Sequence, residues 1–182
     1  MDDSAPVRCS RVGDVLWIRV EGKGSFQNSG GLKEYLEHLI DAGESKPFVV
    51  DLDECPVMDS TFMGVLTGLA NKIREAGTGG AVEVINANVR NRQLLRNLGL
   101  DHILDVNDDP KSRASERKLV TAGVATERIE STLSREAQAE HILEAHQALG
   151  EANPENIPRF KDVVKFFQED LDKLRGGEDV DN

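Results

Sequence analysis

Apolar residues follow two different spacings along residues 1–106, and this alternation is the feature that most restricts the fold. Short runs typical of β-strands are residues 7–20, 48–52, 81–87 and 102–106. In each interval between these runs, apolar residues recur every three to four positions, which is the spacing of one helix face. The first run is broken at Gly13-Asp14 into a hairpin, so the predicted order is ββαβαβαβ. Strands joined through helices pair in parallel, and we therefore expect an α/β fold with a mixed β-sheet flanked by helices.

The character of the chain changes after residue 106. Residues 107–133 are polar and lack periodicity, so we expect a linker there. Residues 134–175 contain two helical stripes around Gly150 and predict a C-terminal helical hairpin, while residues 176–182 are expected to be a disordered acidic tail. Two helices of this size cannot bury their own apolar stripe. They must dock on the α/β domain, on a second copy in a homodimer, or on a partner.

Composition excludes several classes of partner. The net charge is −11 and only 4% of residues are aromatic, so the chain offers neither the basic surface nor the stacking platform of a nucleic-acid-binding protein. We find no run of about 20 apolar residues for a membrane span and no signal peptide. Cys9 and Cys55 are isolated and predict free thiols. A soluble, cytoplasmic protein is expected.

No motif predicts a metal or cofactor site. His102, His141 and His146 fall on different elements or different helix faces, and no ligand spacing joins them. The glycines of residues 22–27 follow neither the mononucleotide nor the dinucleotide pattern, and a plain turn is the better interpretation. Glu140 and Glu144 are read as a solvated helix face.

Ser60 is the residue whose position asks for an explanation. It lies at the start of an otherwise apolar helix and could be a helix cap, a nucleophile or the acceptor of a modification. A hydrolase nucleophile is disfavoured, because Met58 and Phe62 occupy the glycine positions of a GxSxG elbow. A cap remains plausible, although Asp59 competes for that role.

The stretch VVDLDECPVMDSTFMGVLTGL resembles the STAS domain of bacterial anti-sigma factor antagonists. In that family an Asp-Ser-Ser/Thr turn follows the third strand and precedes a Gly-Val-Leu. The resemblance covers residues 7–106 and agrees with the predicted element order. The matching residues are Asp59, Ser60, Thr61, Gly64, Val65 and Leu66.

The resemblance implies a non-catalytic binding protein without a cofactor. Ser60 would be phosphorylated by a partner that is both serine kinase and anti-sigma factor, and a metal-dependent phosphatase would remove the phosphate. The unmodified form would bind the partner and free a sigma factor for transcription. Thr61 is the second-choice acceptor, Asp59 a recognition neighbour, and Phe62 and Met63 candidate partner contacts. The family often has glycine where this chain has Phe62.

A phosphate at Ser60 would act through charge. It adds about −1.5 to −2 charges at pH 7 beside Asp53, Glu54 and Asp59. Unit charges ~5 Å apart at an effective dielectric of ~20 interact by roughly 3 kcal/mol. A buried contact could therefore lose about a hundredfold in affinity.

Two other functions stay open. The chain could be a constitutive STAS scaffold in which Ser60 only caps its helix and the C-terminal hairpin makes an oligomer. It could also be an enzyme or carrier that uses the turn before Ser60 as a small anion or nucleotide site.

Overall fold

A computed structural model of the chain describes residues 6–130 and 132–177. The strands are β1 (Val7–Val12), β2 (Val15–Val20), β3 (Phe48–Asp51), β4 (Val82–Ile85), β5 (Asp105–Asn107) and β6 (Glu127–Ile129). The helices are α1 (Phe26–Asp41), α2 (Ser60–Ala76), α3 (Val89–Asn97), α4 (Ala114–Thr121), α5 (Arg135–Ala152) and α6 (Asn156–Gly176). The predicted fold class is confirmed, with a mixed sheet flanked by helices and a C-terminal helical extension.

The sheet has the order β5-β4-β3-β2-β1-β6. Strands β2 to β5 pair in parallel through helical connections, whereas β1 is antiparallel to both β2 and β6. The register aligns Ile18, Val50 and Val84 in one row, and all three side chains are fully buried. The expected strand at 102–106 is shifted, because Leu100–His102 form a 3₁₀ turn before β5.

Helices α1, α2 and α3 pack on the face of the sheet that carries this row. Their buried side chains and those of the strands form the main core of the protein. Among them are Leu32 and Leu36 of α1, Leu66 of α2 and Leu95 of α3, each at most 1% exposed. These residues recur at helical spacing because each helix buries one face, as the sequence pattern predicted.

Residues 107–133 differ from the expected linker. They contain α4 and β6, and β6 extends the sheet by pairing with β1. The opposite face of the sheet carries a small cluster around Trp17, against which Val120 of α4 and the following Val124 pack. The physical reason is that this second apolar face would otherwise be open to water, so a short helix with a weak periodic pattern is held by the sheet it covers.

The C-terminal hairpin docks on its own α/β domain. Helix α5 lies along α2, and α6 packs mainly on α5. Asn156, at the start of α6, is 1% exposed and donates from Nδ2 to the carbonyl oxygens of Leu98 and Leu149. The sequence left three alternatives for burying the apolar stripe of the hairpin. The structure shows the first of them for α5, which docks on the α/β domain.

The expected acidic tail lies outside the described residues from position 178 onward, and Gly176 is the last residue of α6. In the described part of the chain, no helix combines the length and apolar character that crossing a membrane requires.

Candidate functional site at the start of helix α2

The site lies at the carboxyl ends of the parallel strands, where the turn after β3 leads into α2. Asn91 of α3 fixes this turn: its Oδ1 accepts from the Met58 N–H at 3.1 Å and its Nδ2 donates to the Cys55 carbonyl at 2.9 Å. Gly24 pairs with Met58 in an isolated parallel bridge, so the turn is tied to the chain entering α1 as well. Backbone groups that would otherwise be buried without partners are thus satisfied.

Asp59 is the N-cap of α2. Its Oδ1 accepts a hydrogen bond from the Phe62 N–H at 2.8 Å, while its Oδ2 accepts one from the Phe26 N–H at 2.9 Å, at the start of α1. One carboxylate therefore anchors the first turns of two helices. Ser60 is consequently the first residue of α2 and does not serve as its cap.

The Ser60 hydroxyl contacts a residue of the C-terminal hairpin. Its Oγ lies 2.9 Å from Nε2 of His146, and Nδ1 of the same ring lies 2.7 Å from the Ile142 carbonyl oxygen. A carbonyl oxygen can only accept, so Nδ1 carries a proton, and Nε2 of the neutral ring accepts from Ser60. Burial lowers the pKa of His146, which favours this neutral form, although Asp59 acts in the opposite direction.

Nucleophilic catalysis needs more than this pair. In a serine hydrolase a carboxylate behind the histidine orients it and stabilises the imidazolium. Here the group behind His146 is the backbone carbonyl of Ile142. The arrangement holds the hydroxyl in one orientation but lacks the acid that would support proton transfer.

The residues after Ser60 point into the protein. Thr61, Phe62 and Met63 are 5%, 0% and 3% exposed. The ring of Phe62 lies against Gly24, where a Cβ would meet it at 3.0 Å. The sequence-based proposal that Phe62 and Met63 contact a partner thus meets a difficulty, because both side chains belong to the main core.

A cavity of about 420 Å³ opens beside Ser60, between the α/β domain and the hairpin. Its walls are largely apolar and include Phe26, Ile142 and Phe167. Arg135 and Asp170 also line it and pair with each other at 3.0 Å. Ser60 is therefore only partly exposed, and its accessible side faces this cavity.

The other candidate residues are separated from this site. His102 is exposed in the 3₁₀ turn, and His141 binds Ser29 of α1, with 2.8 Å between Nε2 and Oγ. Within residues 6–130 and 132–177, no group of three or more His, Cys, Asp or Glu side chains is arranged to hold a metal ion. Cys9 and Cys55 are free and buried, as the sequence indicated.

Sequence reasoning missed the two Ser–His contacts. It noted that His141 and His146 project from different faces of one helix, and the structure explains this: one face meets α1 and the other meets α2. No local pattern gives such contacts, since the partners are 112 and 86 residues apart.

Comparison with solved structures supports the fold. One similar structure is that of a Thermotoga maritima protein described as a candidate anti-sigma factor antagonist. It is 20% identical, with a TM-score of 0.51 over 60% of this chain and 92% of its own. The anti-sigma factor antagonist SpoIIAA in its unphosphorylated form is 15% identical, with a TM-score of 0.50 over 65% of this chain and 99% of its own. At these identities the likeness concerns the fold alone.

Comparison with sequences points the same way. A search of curated protein sequences found no significant match. The family model described as STAS domain, however, matches residues 7–113, a segment that holds the sheet from β1 to β5, helices α1 to α3 and the turn before Ser60. The match agrees with the motif around Asp59 and Ser60 and with the observed topology, and the chain therefore belongs to the STAS domain family.

Proposed function

We propose that the chain is a non-catalytic, cytoplasmic regulatory protein of the anti-sigma factor antagonist type. In its unmodified form it binds an anti-sigma factor that is also a serine kinase, and this frees a sigma factor for transcription. Phosphorylation of Ser60 switches binding off, and a metal-dependent serine phosphatase restores it. Asp59, Ser60, Thr61 and the backbone around Phe62 and Met63 form the recognition region.

The observation that carries this proposal is the position of Ser60. It is the first residue of α2 in a STAS domain, and its hydroxyl is not used to cap the helix, because Asp59 does that. Its side chain is half-buried and borders the cavity between the α/β domain and the hairpin, whereas Thr61 is 5% exposed. Ser60 is therefore the better acceptor, and Thr61 remains the second choice.

The folded domain can carry a phosphate at this position. Free N–H groups and the dipole at a helix N-terminus favour an anion. A partner would meet a surface that already holds Asp59 and the exposed Asp53 and Glu54. Added negative charge would repel an acidic or apolar partner surface without refolding the domain.

Binding to a serine kinase of the histidine-kinase-like ATPase fold, purified from the same organism, tests the proposal. We expect Ser60→Ala to bind like the unaltered chain and Ser60→Asp to bind about a hundredfold more weakly. Mass spectrometry of the protein isolated from cells should locate a phosphate on Ser60. Equal affinity of the two variants, with no phosphate on Ser60 or Thr61, would refute the switch.

A second candidate is a scaffold that self-associates through the hairpin. Helix α6 exposes Ile157 and Phe166 at 60% and 62%, which gives a homodimer an apolar surface to bury. Light scattering of the full chain should then show a dimer that the Phe166→Glu variant loses. A monomer at all concentrations would eliminate this candidate.

A further inference from the structure

We propose that the α5–α6 hairpin covers the side of α2 that carries Ser60, and that hairpin docking and phosphorylation at Ser60 exclude each other. The inference rests on the proposed function only for the identity of Ser60 as the modified residue. Docked, the hairpin shields Ser60 from a kinase, and a partner that binds the unmodified chain must displace the hairpin. Phosphorylated, the chain releases the hairpin.

Helix α5 lies in close contact with the first two turns of α2. A Cβ added at Gly64, one turn after Ser60, would lie 2.7 Å from the carbonyl carbon of Ala145, which is shorter than real contacts of a Cβ. One turn further along, a Cβ at Gly68 would lie 3.8 Å from the Cβ of Ala148, an ordinary contact. The backbone of α5 thus rests on the surface that a partner must reach to bind the first two turns of α2.

Helix α5 also binds the Ser60 hydroxyl itself. Nε2 of His146 accepts a hydrogen bond from the Ser60 hydroxyl at 2.9 Å. The His146 ring also makes an edge contact with Phe160 of α6, with 5.0 Å between the ring centroids. Three further contacts fix the same helix on α1, one of them an ion pair between Lys33 and Glu144. His141 binds Ser29, and the Gln138 side-chain amide donates to the Phe26 carbonyl at 3.0 Å.

Helix α6 is held mainly through α5 and buries little of its own surface. Only Asn156 and Leu171 are buried in α6. Besides the cavity at Ser60, a groove of about 850 Å³ runs between α5 and α6 on the other side of His146. The hairpin also lies beyond the residues 7–113 that match the STAS family model. Release must break the α2–α5 seam, the contacts of α5 with Ser29 and Phe26, and the hydrogen bond from Asn156 to the Leu98 carbonyl.

A phosphate on Ser60 would meet the His146 ring in the docked state. Its oxygens would compete for the space around Oγ that the His146 ring now occupies at 2.9 Å. Asp59 and Asp170 would add repulsion, and the cation lining this cavity, Arg135, already pairs with Asp170. Because coupling between equilibria is reciprocal, a phosphate that weakens docking implies that the docked hairpin disfavours the phosphorylated form of Ser60.

Hydrogen exchange on the full chain tests the coupling without any partner. Phosphoserine is incorporated at position 60, and the matched control carries it at Ser115, an exposed residue of α4. We expect amide exchange in residues 135–152 to rise at least tenfold for the first protein only, with β3 unchanged in both. Unchanged exchange of α5 with phosphoserine at position 60 would overturn the proposal, as would an equal rise in the control.

A second experiment disturbs hairpin docking and measures how accessible position 60 becomes. It uses a matched pair of glycine variants. S60C is combined with Gly64→Ala, which α5 cannot accommodate, or with Gly68→Ala, which it can. Both alanines favour the helical state of α2. We expect the thiol at position 60 to react with a maleimide at least tenfold faster in the Gly64→Ala protein, and the buried Cys9 and Cys55 serve as internal references.

Leu149→Glu on the hairpin, a residue that is 0% exposed and packs in the main core, should accelerate labelling in the same way. Unchanged amide exchange in β3 is the check that the STAS domain stays folded in this variant. Equal labelling rates in all these proteins would overturn the shielding. A different result would refute the proposed function alone. In that case the hairpin would respond to phosphoserine at position 60, but protein isolated from cells would carry no phosphate there.

Discussion

The carboxylate of Glu83, on β4, accepts hydrogen bonds from Nη2 and Nε of Arg113 at 2.7 and 2.9 Å. The side chain of Glu83 is only 8% exposed, so the guanidinium supplies the charge that permits its burial. Arg113 adopts a left-handed backbone conformation, with φ of 55°, immediately before α4. This pair joins the sheet to the helix that covers its second face.

Arg113→Ala should destabilise the protein by about 2–4 kcal/mol, because it leaves the carboxylate of Glu83 buried without its cation. Urea unfolding followed by circular dichroism measures the change. The control is Arg92→Ala: Arg92 pairs with Asp108 at 3.5 Å in an exposed position, and its loss should cost less than about 1 kcal/mol. Equal effects would show that the Glu83 pair does not secure α4.

Phe62→Ala should cost about 3–5 kcal/mol, since its ring is fully buried in the main core. The matched variant Phe166→Ala removes the same ring from a site that is 62% exposed, and we expect a change below about 0.5 kcal/mol in the monomer. Thermal and urea unfolding compare the two. A small effect at Phe62 would instead favour the partner-contact role that the sequence suggested.

Acid should weaken hairpin docking through His141. Burial, together with the nearby Lys33, lowers the pKa of His141 to about 4, while Glu144 opposes the shift. Since the released histidine has a pKa of ~6.5, the released state binds more protons between these values, and docking stability falls as pH decreases through this window. The linkage corresponds to roughly 2 kcal/mol lost at pH 5 relative to pH 7.

The contribution of His141 is isolated with His141→Gln, which cannot titrate. Hydrogen exchange of α5 in the unaltered chain should accelerate from pH 7 to pH 5 after correction for intrinsic rates, and the variant should show a smaller acceleration. Identical pH dependence would assign the effect to other groups, including His146, whose pKa is also lowered by burial.

The thiols should be unreactive in the folded protein. Burial, with Glu127 nearby, raises the pKa of Cys9 to about 12, and burial also raises the pKa of Cys55. A disulfide-exchange reagent at pH 8 should modify both cysteines only after urea is added. Fast reaction of one thiol in native buffer would show local opening around it.

Sequence patterns predicted the α/β order because each of its helices buries one regular apolar face, as Leu32 and Leu36 do in α1. They did not predict α4 and β6, since these elements are stabilised by the sheet they cover and carry little periodicity of their own. One signal was present: Glu83 sits within a strand that is otherwise apolar on both faces, and a buried carboxylate requires a cation from elsewhere in the chain.

At the candidate site, the motif around Ser60 was sufficient to suggest the family. It could not show that Asp59 alone is the cap, since either residue can accept from a backbone N–H in the first turn. The contact between Ser60 and His146 depends on how α5 docks, and docking is decided by shape, such as the missing side chain at Gly64.

A short segment connects the sheet to the hairpin. Strand β6 ends at Ile129 and α5 begins at Arg135, so a short tether keeps the two helices beside their binding surface. Short tethers give effective concentrations of about a millimolar. A free competitor at micromolar abundance is thus outnumbered roughly a thousandfold at the surface of α2, and its success depends on how firmly the tethered helices hold.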